Sequence, residues 1–144
     1  IKQDSRDVYL KQGNRLVKML GELGIQAGIG KVEGEYCPGD YSVNARGAVK
    51  LVGTAQRVVR GARLFSASIP MSISVNVRHM FERVNGVLGL EWDSATLGSV
   101  EMENPNVTLS QMRKALINTF AANATEDLCL ADVLDFQSTL EMAG

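Results

Sequence analysis

The sequence predicts an α+β domain, a mostly antiparallel sheet flanked by helices. Three observations carry that expectation. A helical repeat opens the chain, short alternating segments separated by turn signals follow, and further helical repeats close it. Helix, then strands, then helices is the order of segregated layers, not of alternating parallel units. The 144 residues set an expectation of one domain, long enough to bury a core without disulfides or metals.

The opening helix is read from Tyr9, Gly13, Leu16, Leu20 and Leu23, which recur at helical spacing. Asp4 or Ser5 caps its start, and Gly24 provides a left-handed stop. Ile25 to Val32 reads as a strand with glycine interruptions, and Glu33 to Asp40 as a loop carrying the strong turn signal Pro38-Gly39. Strands over Tyr41 to Ala45 and Val49 to Arg57 flank a hairpin turn at Arg46-Gly47, and Ala62 to Met71 alternates as a third strand. Val77, Met80, Phe81, Val84, Val87 and Leu88 then make one apolar helical face up to Gly89. Trp92 to Val100 is a turn-rich link. Thr108 with Gln111 forms a capping box for a helix over Leu109 to Ala121, and the tail from Thr125 reads as a further amphipathic helix.

Composition narrows the function classes. Lys plus Arg number 15 against Asp plus Glu 16, so no basic footprint marks a nucleic-acid or anionic-membrane surface. No apolar run is long enough to span a bilayer, and no secretory signal is visible. Two distant cysteines, Cys37 and Cys129, argue against a disulfide scaffold and for a reducing, cytoplasmic setting. A single histidine, His79, leaves no local multi-histidine metal site, and no metal ligand is assigned.

Several motifs have ordinary structural readings. Gly28-Ile29-Gly30-Lys31 lacks phosphate-loop spacing and precedes no helix, so it reads as a glycine-rich strand end. The sequons at Asn106 and Asn123 serve as helix-cap chemistry. His79 reads as a packed or surface residue, and Cys129, between two leucines, as a small hydrophobe. Two features stand apart. Cys37 lies in a loop between tyrosines, with Glu35 and Asp40 nearby. A loop thiol is within a substrate's reach, but these carboxylates oppose its ionisation, so activation needs a cation from elsewhere. Lys50 opens an otherwise apolar strand, and Gly53 removes a side chain three residues on. Such a lysine either holds a carbonyl or phosphate by charge-assisted hydrogen bonds or is solvated on an edge strand.

Together the segments Glu35-Tyr36-Cys37-Pro38-Gly39-Asp40-Tyr41-Ser42-Val43 and Val49-Lys50-Leu51-Val52-Gly53-Thr54-Ala55-Gln56-Arg57 resemble the lipoate–protein ligase and octanoyltransferase family. That pattern is a Cys-Pro-Gly loop, a strand, a turn, then Lys-x-x-Gly-x-(Ala/Ser)-Gln-Arg-x-x-Arg-Gly, complete here to Arg60-Gly61. Gly89 to Asp93, Leu97 to Val100 and the helix after Thr108 are similar to the family too.

The resemblance implies the biotin–lipoate ligase catalytic fold, related to class II synthetases. It implies transfer of an octanoyl or lipoyl group to the lysine of a lipoyl domain. Cys37 and Lys50 are then the catalytic residues, Cys37 as the acyl-enzyme thiol and Lys50 as the contact to the acyl carbonyl. Gly53, Thr54, Ala55, Gln56 and Arg57 are the substrate-binding stretch. Lysine near the thiol also supplies the missing cation. The substrate is lipoate or an octanoyl carrier-protein thioester, with no permanently bound cofactor. Partners are the lipoyl domains of 2-oxoacid dehydrogenase or glycine cleavage proteins, and acyl carrier protein.

ATP-using members carry Asn-Asp where this chain has Cys37-Pro38-Gly39-Asp40, which favours thiol transfer. The alternative is an ATP-dependent lipoate–protein ligase, with ATP and Mg, in which Lys50 grips a lipoyl-adenylate. A third reading is a non-catalytic module that binds an acyl group or a lipoyl domain.

The family's N-terminal half, with an Arg and Gly-Gly motif, has no match here. Residues 1-144 are therefore expected to be the C-terminal part of the catalytic domain. An N-terminal segment or second chain would complete the sheet across an interface above roughly 2,000 Å².

Overall fold

The computed structural model describes residues 4–121. The helix expected from Thr125, the sequon at Asn123 and Cys129 lie outside the described residues. Within them the chain runs α1 (Ser5–Glu22), β1 (Ala27–Ile29), β2 (Val43–Ala45), β3 (Val49–Val59), β4 (Ala62–Ser68) and α2 (Val75–Val87). A 3-10 turn (Ser94–Thr96), α3 (Val100–Glu103) and α4 (Leu109–Phe120) follow. The strands form one antiparallel sheet in the order β1-β2-β3-β4, so the α+β expectation with flanking helices holds.

Helix α1 begins where the Asp4 carboxylate accepts the Arg6 N–H at 3.1 Å. It ends before Gly24, at φ 76°. Its inner stripe buries Leu16, Met19 and Leu20 against Ile25, Val43, Ala45, Val49, Leu51 and Val52, with Val100 and Met112 completing the core. Tyr9 stays half-buried and stacks on Tyr41 at 5.3 Å between ring centroids. Gly13 is where the helix comes closest to β1, since a methyl there would lie 2.9 Å from Ile29 Cδ1.

Four sequence boundaries shift. The strand expected over Ile25 to Val32 is only Ala27–Ile29, because the Ile25 N–H still closes the helix on the Leu20 carbonyl at 2.9 Å. Tyr41 belongs to a turn, leaving Val43–Ala45 as the strand. Strand β3 runs past Arg57 to Val59, and its hairpin with β4 turns at Arg60-Gly61, with Gly61 at φ 81°. Strand β4 stops at Ser68 rather than Met71. There the Pro70 and Met71 carbonyls accept from Val100 and Glu101, both at 2.9 Å. The Arg46-Gly47 turn is as read, with both residues at positive φ and Arg46 forking onto Glu103 at 2.7 and 3.0 Å.

Strand β3 carries a bulge. Asn44 pairs with Lys50, but Val43 pairs with Val52, so Leu51 is an extra residue on β3. In an unbroken strand, residues three apart face opposite sides. Here a methyl on Gly53 would lie 3.9 Å from Lys50 Cε, on the lysine's side.

The Leu97-Gly98 segment also runs against Lys50. Lys50 and Leu97 form a parallel bridge, and Gly98 N–H donates to the Lys50 carbonyl at 3.1 Å. A methyl on Gly98 would lie 3.0 Å from that carbonyl oxygen and 2.9 Å from Val49 Cγ2. Gly98→Ala is therefore expected to lose about 1–3 kcal/mol of stability in urea unfolding, because backbone is slower to yield than a side-chain tip.

The apolar face read on α2 does not enter the core. Val77, Met80, Val84, Val87 and Leu88 are all exposed, and Asn85 is the buried residue of the helix. Among the described residues no helix is long and apolar enough to cross a membrane.

Candidate functional site

The site forms where the loop after β1 folds over the start of β3. Strand β3 presents Lys50 inward, and the residue is 4% exposed. Burying an ammonium is costly unless each of its three donors finds an acceptor. Lys50 Nζ donates to the Cys37 carbonyl at 2.8 Å and the Tyr36 carbonyl at 3.0 Å. Glu35 Oε2 lies 3.4 Å away, closing a buried ion pair. The Tyr36 ring covers the ammonium at 4.6 Å from its centroid, a cation–π contact. Lys50 is thus not the solvated edge lysine of one sequence reading.

Glu35 holds the other half of the loop. Its Oε1 accepts the Gly39 N–H at 3.1 Å and the Ser42 hydroxyl at 3.0 Å. The Cys-Pro-Gly turn is therefore tied at both ends to one buried acid–base pair, through its carbonyls to Lys50 and through its amide to Glu35. Cys37 sits at the apex, exposed, at φ 43° in the left-handed region that non-glycine residues seldom occupy.

This geometry refines the roles implied by the resemblance. Lys50 meets Cys37 at its carbonyl, so the ammonium fixes the loop backbone. Two of its donors go to protein carbonyls, and Glu35 Oε2 stands 3.4 Å away as its ion-pair partner.

The substrate-binding stretch is divided. Gly53 and Thr54 lie beside Lys50. Gly53 faces its Cε, and Thr54 shares with it, Cys37 and Ser42 a hollow of about 240 Å³. Ala55 is on the exposed outer face of the hairpin, opposite Ser66. Gln56 turns to α1, donating to the Ser5 carbonyl at 2.9 Å and accepting from Arg63 at 3.1 Å. Arg57 is exposed, seven residues along the strand from Lys50, or about 20 Å. The structure does not bring Ala55, Gln56 or Arg57 to the thiol.

Sequence reasoning missed Glu35 as a partner, treating it only as a charge near Cys37. A lysine in an apolar strand requires a buried counter-charge, and that requirement is the signal that finds it. It also missed an aromatic cluster. Tyr36 packs edge-on to Phe81 at 5.3 Å and to Trp92 at 6.5 Å, and Phe81 and Trp92 are 6.1 Å apart. These rings line a cleft of about 530 Å³ between the Cys37 loop and α2. His79 is exposed on α2 and takes no part.

Burial first, then the Glu35 and Cys37 charges, raises the Tyr36 hydroxyl above its ordinary value of 10.0. A phenol that holds its proton more tightly when folded stabilises fully below the unfolded value. That contribution is lost as pH rises through the folded one. Stability should therefore fall above about pH 10, and Tyr36→Phe should flatten that alkaline slope in denaturant titrations.

Compared with known proteins, the chain matches no family model and no curated protein.

Proposed function

We propose that this chain carries the thiol half-site of a protein-lipoylation acyltransferase. The observation that carries the reading is Cys37, an exposed thiol at the apex of a loop fixed by the buried Lys50–Glu35 pair. A nucleophile gains from being held in one geometry before substrate arrives. A loop pinned through two carbonyls, an amide and a hydroxyl meets that need.

The reaction has two acyl transfers. The Cys37 thiolate adds to the carbonyl carbon of an octanoyl or lipoyl thioester. The tetrahedral adduct collapses, the carrier thiolate leaves and takes up a proton, and a Cys37 thioester remains. The ε-amine of a lipoyl-domain lysine then attacks that thioester. An amide forms, the amine proton is released, and the Cys37 thiolate returns. Lys50 keeps Cys37 in place and lends positive charge near the developing oxyanion.

The finer fold assignment belongs to the same proposal. The sheet is the C-terminal part of a biotin–lipoate ligase-like, class II synthetase-like domain. A further segment or chain would cover the outer face of the β3–β4 hairpin. Support comes from that face, where Ala55, Arg57, Leu64 and Ser66 are all exposed. The setting is cytoplasmic on this reading.

Intact mass after incubation with octanoyl acyl carrier protein tests the proposal, with a gain of one octanoyl group expected. Lipoate-dependent exchange of pyrophosphate into ATP, without that gain, would put the ATP-dependent ligase in its place.

A further inference from the structure

We infer that the apolar groove between α4 and the end of β4 is a docking site for residues 126–141 of the same chain. This acidic, amphipathic segment turns back after α4 and closes the core. The inference stands apart from the acyl-transfer reading, because the groove shares no lining residue with the two hollows at Cys37.

The groove is a core left unfinished. Its floor is Leu16 and Met112, at 1% and 2% exposure. Phe65 and Ile69 wall one side, Leu116 and Phe120 the other, and all four pack on the core while only partly buried. Its volume is about 440 Å³. The lining runs from Leu109 to Phe120, so the groove follows all 12 residues of α4, about 18 Å. Among the described residues Arg113 is the one polar member of that lining. A small polar ligand needs several convergent polar groups, whereas apolar side chains need none.

Reach, patterning and charge select the occupant. The groove is open at Phe120, where α4 ends. Residues 121–125 then give a five-residue connection, within the range that joins antiparallel helices. Residues 126–141 at helical rise span about 24 Å, enough to retrace α4. Cys129, Val133, Phe136 and Leu140 recur at i, i+4, i+7 and i+11, an apolar stripe that needs a surface to cover it. The same segment carries Glu126, Asp127, Asp132, Asp135 and Glu141, and no lysine or arginine. Arg113 and Lys114 stand exposed on α4 beside the groove. An antiparallel return brings the stretch around Asp132 level with Arg113, so the charges of the two elements attract.

Cys129 lies on the stripe and reports the docking. In the full chain carrying Cys37→Ser it is the one thiol left. Its alkylation by the neutral reagent iodoacetamide should be at least about 50-fold slower in buffer than in guanidinium at the same pH, because reaction must wait for local opening. Ala67→Glu sets a carboxylate in the groove wall from an exposed position, and should bring the rate to within about threefold of the unfolded value. Ser66→Glu, on the opposite face of the strand, should leave Cys129 protected. Arg113→Glu should also raise the rate, by turning attraction into repulsion. Circular dichroism confirms that each variant is folded. An unprotected Cys129, or protection unchanged in Ala67→Glu, would overturn the assignment. Protection that disappears on dilution, with a solution mass of twice 15.6 kDa before it, would overturn it in favour of the segment of a second copy.

Discussion

Cys37→Ser is expected to abolish the covalent acyl-enzyme in intact-mass measurements, while Cys129→Ser leaves it in place. The expectation follows from position. Among the described residues Cys37 is a free, exposed thiol, at the apex of the pinned loop. Serine keeps the side chain's size and its backbone demands, so the loop should still fold around Lys50. What is lost is nucleophilicity, because an alcohol needs an adjacent base to attack a thioester and the thiolate does not. Among the described residues no histidine joins the hydrogen bonds of this loop, and its carboxylate, Glu35, is turned to Gly39, Ser42 and Lys50. Equal acyl transfer by Cys37→Ser would move the chemistry away from this loop altogether.

Lys50→Ala should have two large effects with separate readouts. Removing the ammonium strands the Glu35 carboxylate at 2% exposure, and breaking a buried pair costs about 3–5 kcal/mol. Urea unfolding measures that loss. Turnover of the folded fraction should fall by about 10²–10³, the scale of one oxyanion contact. Lys50→Arg should also transfer poorly, since a planar guanidinium cannot converge on the Tyr36 and Cys37 carbonyls as an ammonium does. The double variant Lys50→Met with Glu35→Leu removes both charges, so it should recover part of the stability. It should recover none of the turnover. A double variant with normal turnover would show that neither the clamp nor its charge serves the transfer.

Much of the fold was legible because local signals agreed. The α1 stripe, the Arg46-Gly47 turn and the Thr108–Gln111 capping box each follow from spacing and side-chain chemistry, and each is present. The site was legible in part. Cys37 and Lys50 were found, and they do meet, though at a backbone carbonyl rather than at sulfur. Glu35 was missed because a lysine in an apolar strand signals only that a counter-charge is needed, and tertiary packing decides which carboxylate supplies it. The Leu51 bulge was hidden for a related reason. Alternation assumes an unbroken ladder, and one extra residue changes which side chains share a face. The α2 stripe shows that helical periodicity predicts an apolar face without saying what that face meets.

Helix α2 also has a consequence for how the molecule fluctuates. Its principal contact with another element is to the Ser94–Thr96 turn, strengthened by the Arg78 hydrogen bonds to the Ser94 and Leu97 carbonyls, while the Phe81 ring packs on Tyr36 and Trp92. The strands around Val43 and Val52, by contrast, are sealed on the core side by α1. Backbone amides protected mainly by a shallow contact exchange with solvent through local opening, at far lower free energy than those released only by global unfolding. The amides of α2 should therefore exchange well before those of β2 and the first half of β3. One wall of the aromatic cleft can thus open and close while the Lys50 clamp, on the slow-exchanging side, stays shut.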